Sequence, residues 1–170
     1  MIEPRESLYD SCFDLVTNIA NLYPDWEGAK QFEGTPGRLA RTFEYFCWSQ
    51  ERVKKELEGQ FKTFEDGYDE MLVVKGLEVW TLCPHHLLPC SFRVFIGYLP
   101  AGRLLGLSKF ARIAEILARR PVIQEQYSTE LVDLLMERLQ PKGVGVTVYG
   151  SHGCMTSRGV RQHSDRKSVV

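Results

Sequence analysis

Nothing in this 170-residue sequence is apolar for long enough to cross a bilayer: no run approaches the roughly 18 residues that a spanning helix needs. A positively charged start followed by an apolar stretch is also missing, because the first twenty residues hold Glu3, Glu6, Asp10 and Asp14. The cytoplasm is therefore the expected compartment. There the five cysteines (Cys12, Cys47, Cys83, Cys90, Cys154) are expected to be reduced thiols, available to a metal or to burial rather than to disulfides. Internal repeats and low-complexity tracts are lacking, as is the Gly-x-x-x-x-Gly-Lys-Ser/Thr loop of phosphate-transferring enzymes. Net charge is scarce too: −1 overall, which argues against a nucleic-acid or membrane-surface partner for the chain as a whole.

What is present fits one ordinary globular domain, 44% hydrophobic and 25% charged, long enough to bury a core. The charge is uneven along it, −6 over residues 1–100 and +5 over 101–170. Solvated helix faces account for this as well as a basic site in the second half would.

Apolar spacing predicts an amphipathic helix from Leu8 through Cys12, Leu15/Val16 and Ile19, ending near Leu22–Tyr23. A second helix is expected from Thr35-Pro36, with Thr35 as capping hydroxyl and Leu39, Phe43 and Phe46/Cys47 as its buried stripe. A charged helix over Gln50–Gly59 follows. Met71–Leu82 reads as a strand, and Phe92, Val94, Ile96 and Tyr98 alternate as a second, half-buried one. Ser108 opens a helix with Phe110, Ile113, Ala114 and Leu117 on one face; Tyr127, Leu131, Leu134/Leu135 and Leu139 mark the next; Val144, Val146 and Val148 form a strand running into His152. The expected fold class is α+β, an antiparallel sheet with helices on one face. A helical part covers about residues 1–60 and a sheet-based core about 68–170, in one domain, 1–170.

Histidine is rare, and its placement is informative. Three of the four histidines lie within three residues of a cysteine, in Cys83-Pro84-His85-His86 and His152-Gly153-Cys154. Thiolate and imidazole close together on a turn can share a tetrahedral ion, and that donor pair suits zinc. Cys83 and His86 supply two ligands and Cys154 a third from the end of a distant strand, leaving a fourth place for water as catalytic sites do. Cys90 is the rival, since a fourth thiolate would close the site; its place at a strand start favours packing as a small apolar side chain. His163 is expected to be exposed.

Cations and a helix start suggest an anionic ligand. Gly106-Leu107-Ser108-Lys109 opens a helix whose N–H groups and dipole favour phosphate. Lys109 and Arg112 share a face, as do Arg38 and Arg41, and Arg158 follows Cys154 by four residues. Taken singly, each is better read as a solvated surface charge; together with the zinc ligands they outline a site for a highly anionic molecule such as a nucleoside triphosphate. Gln124-Glu125 begins a helix, where a carboxylate can read the amino and ring N–H edge of guanine or simply favour the dipole.

These motifs resemble the GTP cyclohydrolase I family of the tunnelling-fold superfamily. Matching segments are Thr35-Pro-Gly-Arg38-Leu-Ala-Arg41, Cys83-Pro-His-His86-Leu-Leu-Pro89, Ile96-Gly-Tyr-Leu-Pro100, Gly106-Leu-Ser-Lys-Phe-Ala-Arg112, Arg120-Pro-Val-Ile-Gln-Glu125, Leu139-Gln-Pro-Lys-Gly143 and His152-Gly-Cys-Met-Thr-Ser-Arg-Gly159. The resemblance implies a zinc enzyme turning GTP and water into 7,8-dihydroneopterin triphosphate and formate, the first step toward folate, biopterin or deazaguanine. It implies Cys83, His86 and Cys154 as zinc ligands, His85 and His152 as proton-transfer groups and Ser108 as an aid to ribose opening. It also implies Glu125 with Gln124 at guanine, and Ser108, Lys109, Arg112, Arg158, Arg38 and Arg41 at ribose and triphosphate, in a homodecamer of two pentamers with shared sites. The chain departs from the family at Pro84, where an acidic residue is common, and it stops at Val170, where relatives continue through a Ser/Thr-rich strand and a last helix. Two other readings remain: another tunnelling-fold purine or pterin enzyme, such as the deazapurine nitrile reductase, and a non-catalytic paralogue that binds zinc and GTP. The first needs a nucleophilic cysteine and no zinc ligands, which the paired Cys/His motifs argue against.

Overall fold

The computed structural model describes residues 4–163 and 166–170. The chain divides into two compact units, 1–47 and 48–170.

The first unit is helical. Helix α1 (Pro4–Ala20) and helix α2 (Thr35–Phe46) flank a short 3-10 helix (Glu27–Phe32) that the apolar periodicity does not signal. Cys12 and Val16 of α1 and Pro36 and Ala40 of α2 are buried. Leu15 and Ile19, expected in the α1 stripe, are instead exposed, and α1 stops at Ala20 rather than near Tyr23. Thr35 does not cap α2. Gly34 holds the cap position in the left-handed region (φ 73°), and Thr35 Oγ1 accepts a 2.8 Å hydrogen bond from Arg38.

The second unit carries the sheet. Helix α3 (Gln50–Glu58) is capped by Ser49, whose hydroxyl accepts from Arg52 N at 3.2 Å. Val53 and Leu57 of α3 join the hydrophobic core of the sheet, so α3 groups with residues 48–170 and not with the helical part that the sequence extended to about 60. A two-stranded sheet, β1 (Thr63–Glu65) against β4 (Arg103–Leu105), was not legible, because three residues are too few to show alternation. The main sheet is antiparallel, in the order β2 (Leu72–Leu82), β3 (Pro89–Leu99), β5 (Gly143–His152), β6 (Arg166–Val169).

On β3 the residues Cys90, Phe92, Val94, Ile96 and Tyr98 all point into the core, the alternation the sequence predicts. On β2 the inward set changes parity from Val74 to Val79 and Thr81. A register shift between Val74 and Leu77, with Gly76 at φ 69°, absorbs the extra residue. Helix α4 (Leu107–Ala118) packs on β2 and helix α5 (Gln124–Leu139) on β5, both over this face. Their stripes are those expected: Phe110, Ile113, Ala114 and Leu117, then Tyr127, Leu131, Leu135 and Leu139, are buried. The opposite face leaves Trp80, Val73 and Tyr149 exposed.

The link between α4 and α5 is fastened to the end of β2: Thr81 Oγ1 donates to Arg120 O at 2.7 Å and Val122 N donates to Leu82 O at 3.2 Å. Arg120 forms an ion pair with Glu130 and donates to Gln50 Oε1 at 3.0 Å, tying this link to α5 and α3. Residues 122–125 are thereby brought beside the chain just after β2.

Ile113 is fully buried, so Ile113→Ala should lower unfolding free energy by about 2–5 kcal/mol in urea titrations. Tyr127→Phe removes the 3.0 Å hydrogen bond to Ala114 O inside the core, and should cost about 1 kcal/mol without changing the fold.

Candidate metal centre and active site

Register places the chemistry. Leu82 pairs with Pro89 across β2 and β3, and Cys90 pairs with His152 across β3 and β5. The start of β3 therefore lies between the end of β2 and the end of β5, and the residues leaving those two ends meet at one edge of the sheet. Cys83 leaves the first, and Cys154 leaves the second.

Each segment has a local reason for its shape. From Cys83 to Leu88 the chain makes a single turn: His86 N and Leu87 N donate to Cys83 O (3.3 and 2.8 Å), and Cys83 N donates to Leu88 O (2.9 Å). This three-residue step puts the His86 ring beside the Cys83 thiol, with Nδ1 3.6 Å from Sγ. Leu87 reverses the chain in the left-handed region at φ 51°, a conformation that costs a non-glycine residue on the order of 1 kcal/mol and that the closed turn holds in place. After β5, Gly153–Thr156 form one helical turn, α6, closed by Ser157 N to Gly153 O at 3.0 Å. A Cβ on Gly153 would sit 2.6 Å from Pro89 O, so only glycine lets this turn, and Cys154 with it, lie against the start of β3.

Cys83, His86 and Cys154 each present a ligand atom within 4.8 Å of the others, the only such group of histidine, cysteine and carboxylate side chains among the described residues. Cys83 is buried, Cys154 half-buried and His86 exposed. The three sequence-predicted ligands are thus brought together, and this group can hold a metal ion.

Cys90 is outside that group. Its Sγ lies 3.5 Å from His152 Nδ1 and 3.8 Å from Leu88 O. It is 1% exposed, as a packed cysteine would be, but it also faces a histidine, a contact that strand position alone does not reveal. Burial, and then the nearby thiols Cys83 and Cys154, push the Cys90 pKa up to about 11. Cys154 is raised by burial and by Cys83, while Arg158 pulls the other way. Thiolates crowded together repel one another, and a bound cation is what relieves that repulsion.

A cavity of about 160 Å³ adjoins the group, lined among others by His85, Glu125, Gln124, His152 and Cys154. His85 is exposed, its Nδ1 3.9 Å from Cys83 Sγ. Glu125 is half-buried in the first turn of α5. Gln124 is 1% exposed: its amide nitrogen donates to Val148 O (2.9 Å) and Ser168 Oγ (3.3 Å), and its oxygen meets His152 Nε2 at 3.0 Å.

Among the predicted anion-binding groups, Arg158 lies close enough to Cys154 to act on it, whereas those at the start of α4 do not line the cavity. Ser108 and Arg112 are exposed at the start of α4, whose Gly106 cap leaves the helix without a side-chain cap. Lys109 donates to Gly59 O (3.4 Å) and Gln60 Oε1 (3.3 Å) at the C-terminal end of α3. Arg158 is exposed just past α6, and His163 is exposed as expected. Arg38 and Arg41 are exposed on α2, in the first unit. None of Ser108, Lys109, Arg112 and Arg158 lines the cavity.

Cys154→Ala should abolish tight binding of one metal ion per chain, whereas Cys90→Ala should keep it; elemental analysis of the purified variants checks both. Because the Cys154 thiol must lose its proton to bind and its pKa is raised, metal affinity should fall as pH falls, by about tenfold per unit for that thiol alone, as read by a competing chelator between pH 8 and 6.

The GTP cyclohydrolase I family model matches residues 16–169. The GTP cyclohydrolase 1 of Streptomyces avermitilis is 44% identical over 142 residues, 82% of this chain and 68% of that protein. That of Aquifex aeolicus is 43% identical over 81% of this chain and 70% of its own length, and that of Chlorobium phaeovibrioides 34% over 94% and 70%. The chain thus spans about two thirds of the length of these relatives. Among solved structures, the archaeosine synthase QueF-Like in its apo form superposes with a TM-score of 0.52, covering 61% of this chain and 93% of that one at 19% identity, a likeness of fold alone. With the family model covering residues 16–169 and several relatives above 30% identity covering most of the chain, this enzyme belongs to the GTP cyclohydrolase I family.

Proposed function

We propose that the chain is a zinc-dependent hydrolase converting GTP and water into 7,8-dihydroneopterin triphosphate and formate. The observation that carries this is the convergence of Cys83, His86 and Cys154 beside a cavity that also holds His85, His152 and Glu125. Two thiolates and one imidazole form a donor set suited to zinc, and three protein ligands are the complement of a catalytic rather than a structural site. When bound, zinc supplies Lewis acidity that brings the pKa of water toward 7, making hydroxide available to attack C8 of the purine.

The remaining work falls to side chains. Glu125, at the α5 start, accepts hydrogen bonds from the amino and ring N–H edge of guanine and sets the purine's orientation. His152, at the cavity wall, supplies a proton to the imidazole nitrogen of the base as its ring opens. His85, exposed beside Cys83, serves as acid and base in opening and deformylation, work that imidazole does near neutral pH. Ser108 then assists ribose opening before the pterin ring closes. The triphosphate needs cations, and those of α4 lie outside this chain's cavity. In this reading a second copy of the chain brings Ser108, Lys109, Arg112 or the α2 arginines to it, which makes the working form a homo-oligomer of the family's decameric kind, in the cytoplasm, where thiol ligands stay reduced.

Zinc-loaded protein incubated with GTP should release formate and a product with pterin ultraviolet absorbance. His85→Ala and His152→Ala should each keep zinc and lose about 10²-fold or more in turnover. Zinc and GTP binding without formate would identify a non-catalytic paralogue and refute the proposal.

A further inference from the structure

The amide of Gln124 is oriented by groups that leave it no choice. The Val148 carbonyl can only accept, so the atom 2.9 Å from it is the Gln124 NH2, and the oxygen is the end that faces His152 Nε2 at 3.0 Å. An amide oxygen carries no hydrogen; a hydrogen bond at that distance requires the proton to sit on Nε2. A neutral imidazole has one such proton, so Nδ1 is bare, 3.5 Å from the Cys90 thiol. Gly150 makes this arrangement possible. A Cβ there would collide with Gln124 Oε1 and lie 2.9 Å from His152 Nε2, and since Gly150 is ordinary extended strand paired with Phe92, what glycine provides is space. The Phe92 ring, centred 6.0 Å from that of His152, packs alongside.

We propose that Gln124 is a positioning residue: seated in the space left by Gly150, its amide oxygen accepts from His152 Nε2–H, fixing the ring and its tautomer with Nδ1 turned toward Cys90. Gln124 then acts through His152. The use made of that proton rests on the proposed reaction; the tautomer does not.

The test uses zinc-loaded protein with 15N-labelled histidine, observed at a pH where the ring is neutral, the His152 signals being assigned by their loss in His152→Asn. Wild type should show Nε2 protonated and Nδ1 bare. Gln124→Met, similar in shape without the acceptor, and Gly150→Ala, which displaces the amide, should shift both signals toward a mixture of tautomers. In both variants kcat should fall about 10–100-fold, with zinc retained and KM for GTP within about twofold. A proton on Nδ1 in wild type overturns the proposal. So does a raised KM in Gln124→Met with the tautomer unchanged, which would make Gln124 a guanine contact. Should Gln124→Met not fold, Gly150→Ala and the wild-type spectrum decide. If no GTP is turned over, the reaction is wrong and the spectra still judge the tautomer.

Discussion

The constraint on which the site depends is strand register. Three antiparallel strands end together, so that the turn after β2 and the turn after β5 meet across the first residues of β3. Cys83 and Cys154 are seventy-one residues apart in the chain, and this pairing alone makes them neighbours. A slip of one residue between β3 and β5 would turn His152 to the other face and carry Cys154 out of reach of Cys83. The buried alternation of Phe92, Val94 and Ile96 against Val146 and Val148 opposes such a slip, since moving β5 by one residue would turn Val146 and Val148 out of the core. The hydrophobic core thus sets the geometry of a polar site.

Around that constraint, small details decide what fits. Gly153 allows the turn bearing Cys154 to approach the Pro89 carbonyl, and Gly150 leaves room for the Gln124 amide. The fastening of residues 120–122 to the end of β2 sets α5, and hence Gln124 and Glu125, against the same edge. Each contact joins a different stretch of chain to the sheet end. Cysteine, histidine and carboxylate therefore converge there although they come from separate elements.

Much of this was legible in the sequence. The β3 alternation and the α4 and α5 stripes followed from periodicity, and the Cys/His clusters marked the three residues that converge into a group able to hold a metal ion. What escaped were features with no periodic or compositional mark. The β1–β4 ribbon and the 3-10 helix are too short to show a pattern. Leu15 and Ile19 fit a helical stripe but lie exposed, because spacing identifies a face without saying what covers it. The Cys90–His152 contact follows from cross-strand pairing, and the inward-turned Gln124 from a carbonyl on another strand; neither can be read from neighbours in the chain.

The central claim is that this sheet edge holds one metal ion through two thiolates and one imidazole, with Cys90 apart. X-ray absorption spectroscopy of the zinc-loaded protein tests it most directly. The account predicts a first shell of two sulfurs at about 2.3 Å and two lighter atoms at about 2.0–2.1 Å, unchanged in Cys90→Ala. Three sulfurs in the wild-type shell, falling to two in that variant, would contradict it.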